Sequence, residues 1–129
     1  MFRVLIAEDE RLVAFVMRGQ LEAQGYQVVG IASTGVEALE KCKNEHPEII
    51  LMDVQMPEMD GIEATQHIMQ ECPTTVIMVS ANGDSDQIMT ARKAGALAYL
   101  VKPVNERLLA ESMAEAHQQF HTLYSKNGS

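Results

Sequence analysis

The chain has 129 residues, 47% of them hydrophobic and 22% charged, so it suits one globular domain and is too short for two ordinary ones. Its 18 acidic against 10 basic side chains, a formal charge of −8, argue against a nucleic-acid-binding surface, which needs clustered Lys and Arg to neutralise phosphates. No apolar run approaches the ~20 residues of a membrane span and no signal-peptide pattern opens the chain, so the expected location is cytoplasmic, with no membrane partner.

Five short apolar runs occur in order: Val4 to Ala7, Val28 to Ala32, Glu48 to Met52, Thr75 to Val79 and Ala98 to Val101. They are rich in Val, Ile and Leu and continuous instead of alternating, the pattern of strands buried on both faces of a parallel sheet. Amphipathic segments separate them. In the first, Leu12, Val16, Leu21 and Ala23 predict the apolar side, and Gly25 a left-handed stop. Thr34 with Glu37 predicts a capping box for the second. The third runs from about Gly61 to Glu71, ahead of Pro73, and the fourth from about Asp84 to Ala94, with Gly95 as its cap. The fifth starts near Asn105. Leu109, Met113, Ala116, Phe120 and Leu123 recur in it at intervals of 4, 3, 4 and 3, which predicts one face packed on the sheet, with a dimer seam as the alternative. Strict strand–helix alternation makes the fold class α/β, a doubly wound parallel sheet of five strands with helices on both faces.

Cys42 and Cys72 have no metal-ligand or redox spacing; their even number leaves a disulfide open, but Cys42, in a helical apolar pattern, is expected to be a buried free thiol. The four histidines have no ligand spacing with carboxylates and are given no site role.

Polar residues gather where the strands end: Glu8 and Asp9 after the first, Asp53 after the third, Ser80 at the fourth, Lys102 after the fifth. In open α/β sheets ligands bind outside the carboxyl ends of the strands, so these residues are expected at one rim. Three carboxylates there repel. At an effective dielectric near 20, a pair ~4 Å apart costs about 4 kcal/mol. Such a set persists when a group protonates or a cation joins. Oxygen-only ligands suit Mg²⁺, which takes one or two carboxylates with waters and phosphate. Lys102 adds a point charge and Ser80 a hydroxyl. A carboxylate nucleophile with a metal and two donors points to phosphoryl transfer.

With these residues in place, the sequence resembles the receiver domain of the two-component response-regulator family over residues 2–123. The motifs are Glu8–Asp9, Asp53, the run Met56–Pro57–Glu58–Met59–Asp60–Gly61, Ser80–Ala81, Tyr99 and Lys102–Pro103. The resemblance implies strand order 2-1-3-4-5 in a flavodoxin-like sheet, a receiver over residues 1–124 and a short tail over 125–129. It implies that Asp53 takes a phosphoryl group from a phosphohistidine on a sensor histidine kinase or histidine phosphotransfer protein. Asp9, Asp53 and the backbone carbonyl of Gln55 would hold Mg²⁺, and Glu8 would act through water. Lys102 would contact the acyl phosphate, Ser80 would swing toward it, and Tyr99 would turn inward. The Lys102–Pro103 bond would be cis. The fourth helix, fifth strand and fifth helix would be read by an output domain or protein, and a homodimer is possible. The switch would not be an enzyme on other substrates, though it would catalyse its own phosphotransfer and dephosphorylation. The length leaves no room for an output domain in this chain.

Ser80 stands where Thr is commoner in the family. Gly95 to Ala98 lacks the acidic residues of regulators with winged-helix outputs, and Gly95 to Val104 is closer to receivers that precede an RNA-binding antiterminator. Gln55 and Asn82, two residues beyond Asp53 and Ser80, are expected to tune access of hydrolytic water. Two other classes fit less well. An aspartate-nucleophile phosphohydrolase usually has a second Asp two residues on, where this chain has Gln55. A flavodoxin-like cofactor binder wants a neutral phosphate loop after the first strand, where this chain has Glu8–Asp9–Glu10. A receiver that works without phosphorylation is opposed by the intact acidic and basic set.

Overall fold

The computed structural model describes residues 2–128. Five strands alternate with five helices: β1 Arg3–Ala7, α1 Arg11–Ala23, β2 Gln27–Ala32, α2 Gly35–Glu45, β3 Ile49–Met52, α3 Gly61–Glu71, β4 Thr75–Ser80, α4 Ser85–Ala94, β5 Ala98–Val101 and α5 Glu106–Gly128. The strands form one parallel sheet in the order β2-β1-β3-β4-β5. The chain leaves β1 for one edge and returns to β3 on the other side of β1. That reversal opens a crevice at the carboxyl ends of β1 and β3.

The continuous apolar runs serve two cores. Val4, Ile6, Ile49, Leu51, Ile77 and Val79 face α1 and α5, where Ala14, Leu21, Leu109, Met113 and Ala116 meet them. Their alternates Leu5, Ala7, Ile50, Met52, Val76 and Met78 face α2, α3 and α4, against Ala38, Cys42, Ala64, Ile68 and Ala91. Side chains alternate faces with a period of two, so a strand covered on both sides needs apolar residues at every position.

The expected helix signals are present with one shift. Thr34 Oγ1 accepts from the Glu37 N–H at 3.0 Å, but the Glu37 carboxylate reaches back to the N–H of Ser33 (2.7 Å), one residue before the cap. Gly25 and Gly95 both have positive φ, as their places after α1 and α4 require. Asp60 caps α3 through the N–H of Glu63 at 2.8 Å.

Two helix faces differ from expectation. Leu12 and Val16 are 75% and 49% exposed, and Ala23 is exposed as well. The face of α1 on the sheet is carried by Ala14, Met17 and Leu21, a spacing of three and four that the larger neighbours obscured. In α5, Leu109, Met113 and Ala116 are buried on the sheet, Phe120 is half-buried, and Leu123 is exposed. The same stripe therefore packs on the sheet and then outruns it. The helix itself runs on to Gly128.

Gly61 holds the loop after β3 against the sheet. Its N–H donates to the Val54 carbonyl at 2.7 Å, and a Cβ here would lie 2.0 Å from the Asp53 carbonyl oxygen. Gly61→Ala must displace backbone, so it is expected to cost about 3 kcal/mol or more. Urea unfolding with an unchanged slope checks this.

Candidate functional site

The register of the sheet assembles the rim. The β1–β3 pairing ends at Ala7 with Met52, and the β4–β5 pairing at Ser80 with Val101. Ladder hydrogen bonds run one residue further: Asp53 N–H donates to the Ala7 carbonyl (2.9 Å), Glu8 N–H to Ala32 (2.8 Å) and Lys102 N–H to Ser80 (2.8 Å). Glu8, Asp53 and Lys102 are thereby carried to the same level above the sheet.

Carboxylate oxygens of Glu8, Asp9 and Asp53 lie within 4.8 Å of one another. Lys102 Nζ donates to Glu8 Oε1 at 2.5 Å and to Asp53 Oδ2 at 3.4 Å. The second Glu8 oxygen accepts the Glu10 N–H at 3.1 Å. Glu8 is almost fully buried, Asp53 nearly so, and Asp9 exposed.

The environments separate the two buried carboxylates. Burial pushes Glu8 up, but hydrogen bonds from Lys102 and the Glu10 N–H outweigh it and hold Glu8 below the usual range. For Asp53, burial and then the neighbouring Glu8 charge dominate, against a smaller pull from Lys102, and its carboxyl is pushed up to about 6. Burial disfavours the Lys102 ammonium, yet its contacts with Glu8 and Asp53 raise it above the ordinary value. In this state Lys102 therefore belongs first to Glu8. The resemblance implied a contact of Lys102 with the acyl phosphate and a role for Glu8 through water, and it held no sign of this direct Lys102–Glu8 pair.

A cavity of about 350 Å³ opens over Asp53, walled by Asp9, Gln55, Ser80, Asn82 and Lys102. All the donors of the acidic cluster are oxygens, two of them withdrawn from solvent, and their mutual repulsion is only partly offset by one ammonium. This set fits a hard divalent cation.

Ser80 is buried at the far wall. Its Oγ accepts the Asn82 N–H at 3.2 Å and Gln87 Nε2 at 3.4 Å. Gln87 Nε2 also donates to the Tyr99 hydroxyl at 2.6 Å, and that hydroxyl donates to the Asn82 carbonyl at 2.5 Å. Tyr99 is half-buried and packs on the α2–α3–α4 core. Gln87, in the first turn of α4, thus ties Ser80 to Tyr99. Sequence reasoning missed it, because its only signal was a place three residues after the Asp84 cap. The Lys102–Pro103 bond is cis, as the resemblance implied.

A family model described as the response regulator receiver domain matches residues 4–114. The chain is a response-regulator receiver domain. It is 37% identical over 126 residues to the transcriptional regulatory protein PdtaR of Mycobacterium tuberculosis, which covers 98% of this chain and 62% of that protein. It is 39% identical over 112 residues to the chemotaxis protein CheY of Thermotoga maritima, covering 86% of this chain and 93% of the relative. Among solved structures, the response regulator domain of Thermotoga maritima CheB superposes with a TM-score of 0.84 at 34% identity, over 92% of this chain and 97% of that one. The receiver thus spans about three fifths of the mycobacterial regulator and nearly all of the chemotaxis protein. Receivers of this family are signalling switches of two-component systems. Among the described residues no helix is long and apolar enough to cross a membrane.

Proposed function

We propose that Asp53 is the phosphoacceptor of this receiver and takes its phosphoryl group from a phosphohistidine on a sensor histidine kinase or histidine phosphotransfer protein. The observation that carries the reading is the placement of Asp53 between the Glu8 and Asp9 carboxylates and the Lys102 ammonium, at the floor of an open cavity. Asp9, Asp53 and the Gln55 backbone carbonyl would hold Mg²⁺, with Glu8 acting through a water. Bound there, the ion neutralises charge on the transferring phosphoryl group.

The chain's own groups account for the rest. An Asp53 carboxylate oxygen forms the new bond to phosphorus as the phosphorus–nitrogen bond breaks, and that electron pair leaves with the donor imidazole. Lys102, held by Glu8 while the site is resting, turns to a phosphoryl oxygen. Ser80 donates its hydroxyl to another, at the expense of its contact with Gln87. Because Gln87 also holds Tyr99, that exchange reaches α4 and β5. The phosphoryl group moves the equilibrium only by binding one arrangement better than the other. Met89 on α4, Val101 on β5 and Leu108 on α5 are 57%, 46% and 50% exposed, one apolar contact on each element of the expected output face. Gln55 and Asn82 at the cavity wall control access of hydrolytic water, so exchanging both is expected to change the dephosphorylation rate.

The test uses the small donor acetyl phosphate. Wild type incorporates label with Mg²⁺ and not with EDTA, and the label is released by hydroxylamine, as an acyl phosphate must be. Label that is stable to hydroxylamine, or equal in EDTA, overturns the reading.

The donor protein has a surface to meet. Leu12, Phe15 and Val16 are 75%, 71% and 49% exposed on α1, and Leu12 and Val16 border an apolar groove of about 530 Å³ that shares Lys102 with the acidic cavity. A donor helix seated there brings its phosphohistidine over Asp53. Phe15→Ala with Leu12→Ala is expected to slow transfer from the donor protein about 10²-fold. Labelling by acetyl phosphate, which needs no such docking, remains within a factor of about 2.

A further inference from the structure

We propose that Cys42 and Cys72 are a dithiol that hydrogen peroxide converts into a reversible intramolecular disulfide stapling α2 to α3. The two residues are 30 apart in sequence, yet their sulfurs lie 2.8 Å apart. Cys42 projects from α2 into the layer under α3, and Cys72 is the residue on which α3 ends. The Cys42 thiol also donates to the Cys72 carbonyl at 3.4 Å. The same two helices are joined one residue away, where the Lys43 ammonium pairs with the Glu71 carboxylate. Neighbouring residues on both helices thus meet as pairs, and the sulfurs need to approach by less than about 1 Å to bond.

The two thiols differ as an attacking and a resolving cysteine must. Cys42 is buried and Cys72 partly exposed. Burial is the main cause that pushes the Cys42 thiol well up, so it stays protonated and out of reach of solvent oxidant. Cys72 meets the peroxide first. Its thiolate attacks one peroxide oxygen, the O–O bond breaks, and Cys72 becomes a sulfenic acid as hydroxide leaves. The Cys42 sulfur then attacks the Cys72 sulfur, and its proton departs with the displaced hydroxide as water. Overall two thiols and one peroxide give one disulfide and two waters, with the cysteines oxidised and the peroxide reduced. Contact between the sulfurs makes the second step intramolecular, which compensates for the weak nucleophilicity of a protonated thiol. In a compartment kept reducing, such a bond is transient and reports oxidant. The pair lies at the carboxyl ends of α2 and α3, whereas the acidic cavity lies at the carboxyl ends of the strands, and the inference does not rest on the phosphoacceptor reading.

The test treats the fully reduced protein with hydrogen peroxide and maps it by mass spectrometry without reductant. Expected are a monomer lighter by two hydrogens, a linked peptide joining Cys42 to Cys72, and a melting temperature about 10 °C higher that dithiothreitol reverses. Cys72→Ser and Cys42→Ala each lose both the link and the shift. Cys72 advancing to sulfinic or sulfonic acid while Cys42 stays reduced overturns the proposal, as does Cys72 linking two chains. The wild-type map decides the matter even if Cys42→Ala unfolds.

Discussion

Asp53→Asn is expected to abolish labelling by acetyl phosphate, a loss of about 10³-fold or more, because the amide has no anionic oxygen to form the bond. The same substitution makes the metal-free protein more stable at neutral pH. Burial and the Glu8 charge raise Asp53 from the ordinary 3.8 to about 6 in the folded state. Between those values the folded chain holds a proton that the unfolded chain has lost, so the contribution of Asp53 to stability falls as pH rises from about 4 to 6. Above 6 the folded state carries a buried charge that costs about 3 kcal/mol. Asn carries none. Urea unfolding in EDTA is therefore expected to place Asp53→Asn about 3 kcal/mol above wild type at pH 7, with the difference shrinking to a small fraction of that near pH 4. Equal stability at both pH values would mean that Asp53 is not strained by its neighbours.

Lys102→Ala acts in the opposite direction on stability. It removes the ammonium that Glu8 and Asp53 share and leaves Glu8, 1% exposed in its side chain, as a buried charge without its cation. Breaking such a pair by deleting one partner typically costs 3–5 kcal/mol, and with Lys102 itself 23% exposed about 2 kcal/mol is expected at pH 7. The held-down Glu8 carboxyl contributes stability above its unfolded value and loses it as pH falls through its folded value, so the deficit shrinks in acid as both carboxylates protonate. Mg²⁺ is expected to stabilise Lys102→Ala more than wild type, since a divalent ion replaces the missing charge. Phosphorylation is expected to fall about 10²-fold, from loss of the proposed donor to the phosphoryl oxygens. Thermal melts with and without Mg²⁺ and a labelling time course measure both effects. One site is thus expected to yield two impaired variants whose metal-free stabilities move in opposite senses.

Both predictions depend on contacts that no single stretch of sequence contains. The individual residues were legible: Glu8, Asp9, Asp53, Ser80 and Lys102 each stand where an apolar run stops. Their partners were not. Lys102 lies 94 residues from Glu8 and 49 from Asp53, and its closer contact with Glu8 is set by how the strand ends meet in three dimensions. Gln87 had no distinguishing neighbour in the chain, and its link to Ser80 and Tyr99 exists because α4 begins beside the end of β5. The α1 face was misread for a related reason. Leu12 and Val16 are the larger apolar residues, but close approach of α1 to the sheet selects Ala14, and packing decides which stripe is covered.

Local pattern was enough for the α/β alternation, the helix starts at Thr34 and Asp60, the stop at Gly95 and the level of the chain at which each polar residue would appear. These depend on hydrogen bonds and backbone angles within a few residues, which short segments carry in themselves. The strand order rested on the family resemblance and is realised in the sheet. What tertiary structure alone decided is the register that sets Glu8 beside Asp53, the burial that drives their carboxyls apart, and the meeting of Cys42 with Cys72. Those depend on distances between segments far apart in the chain, and on how much water each segment excludes from the others. The initial charge of −8 had no location. The fold concentrates its consequential part into three carboxylates and one ammonium at a single crevice.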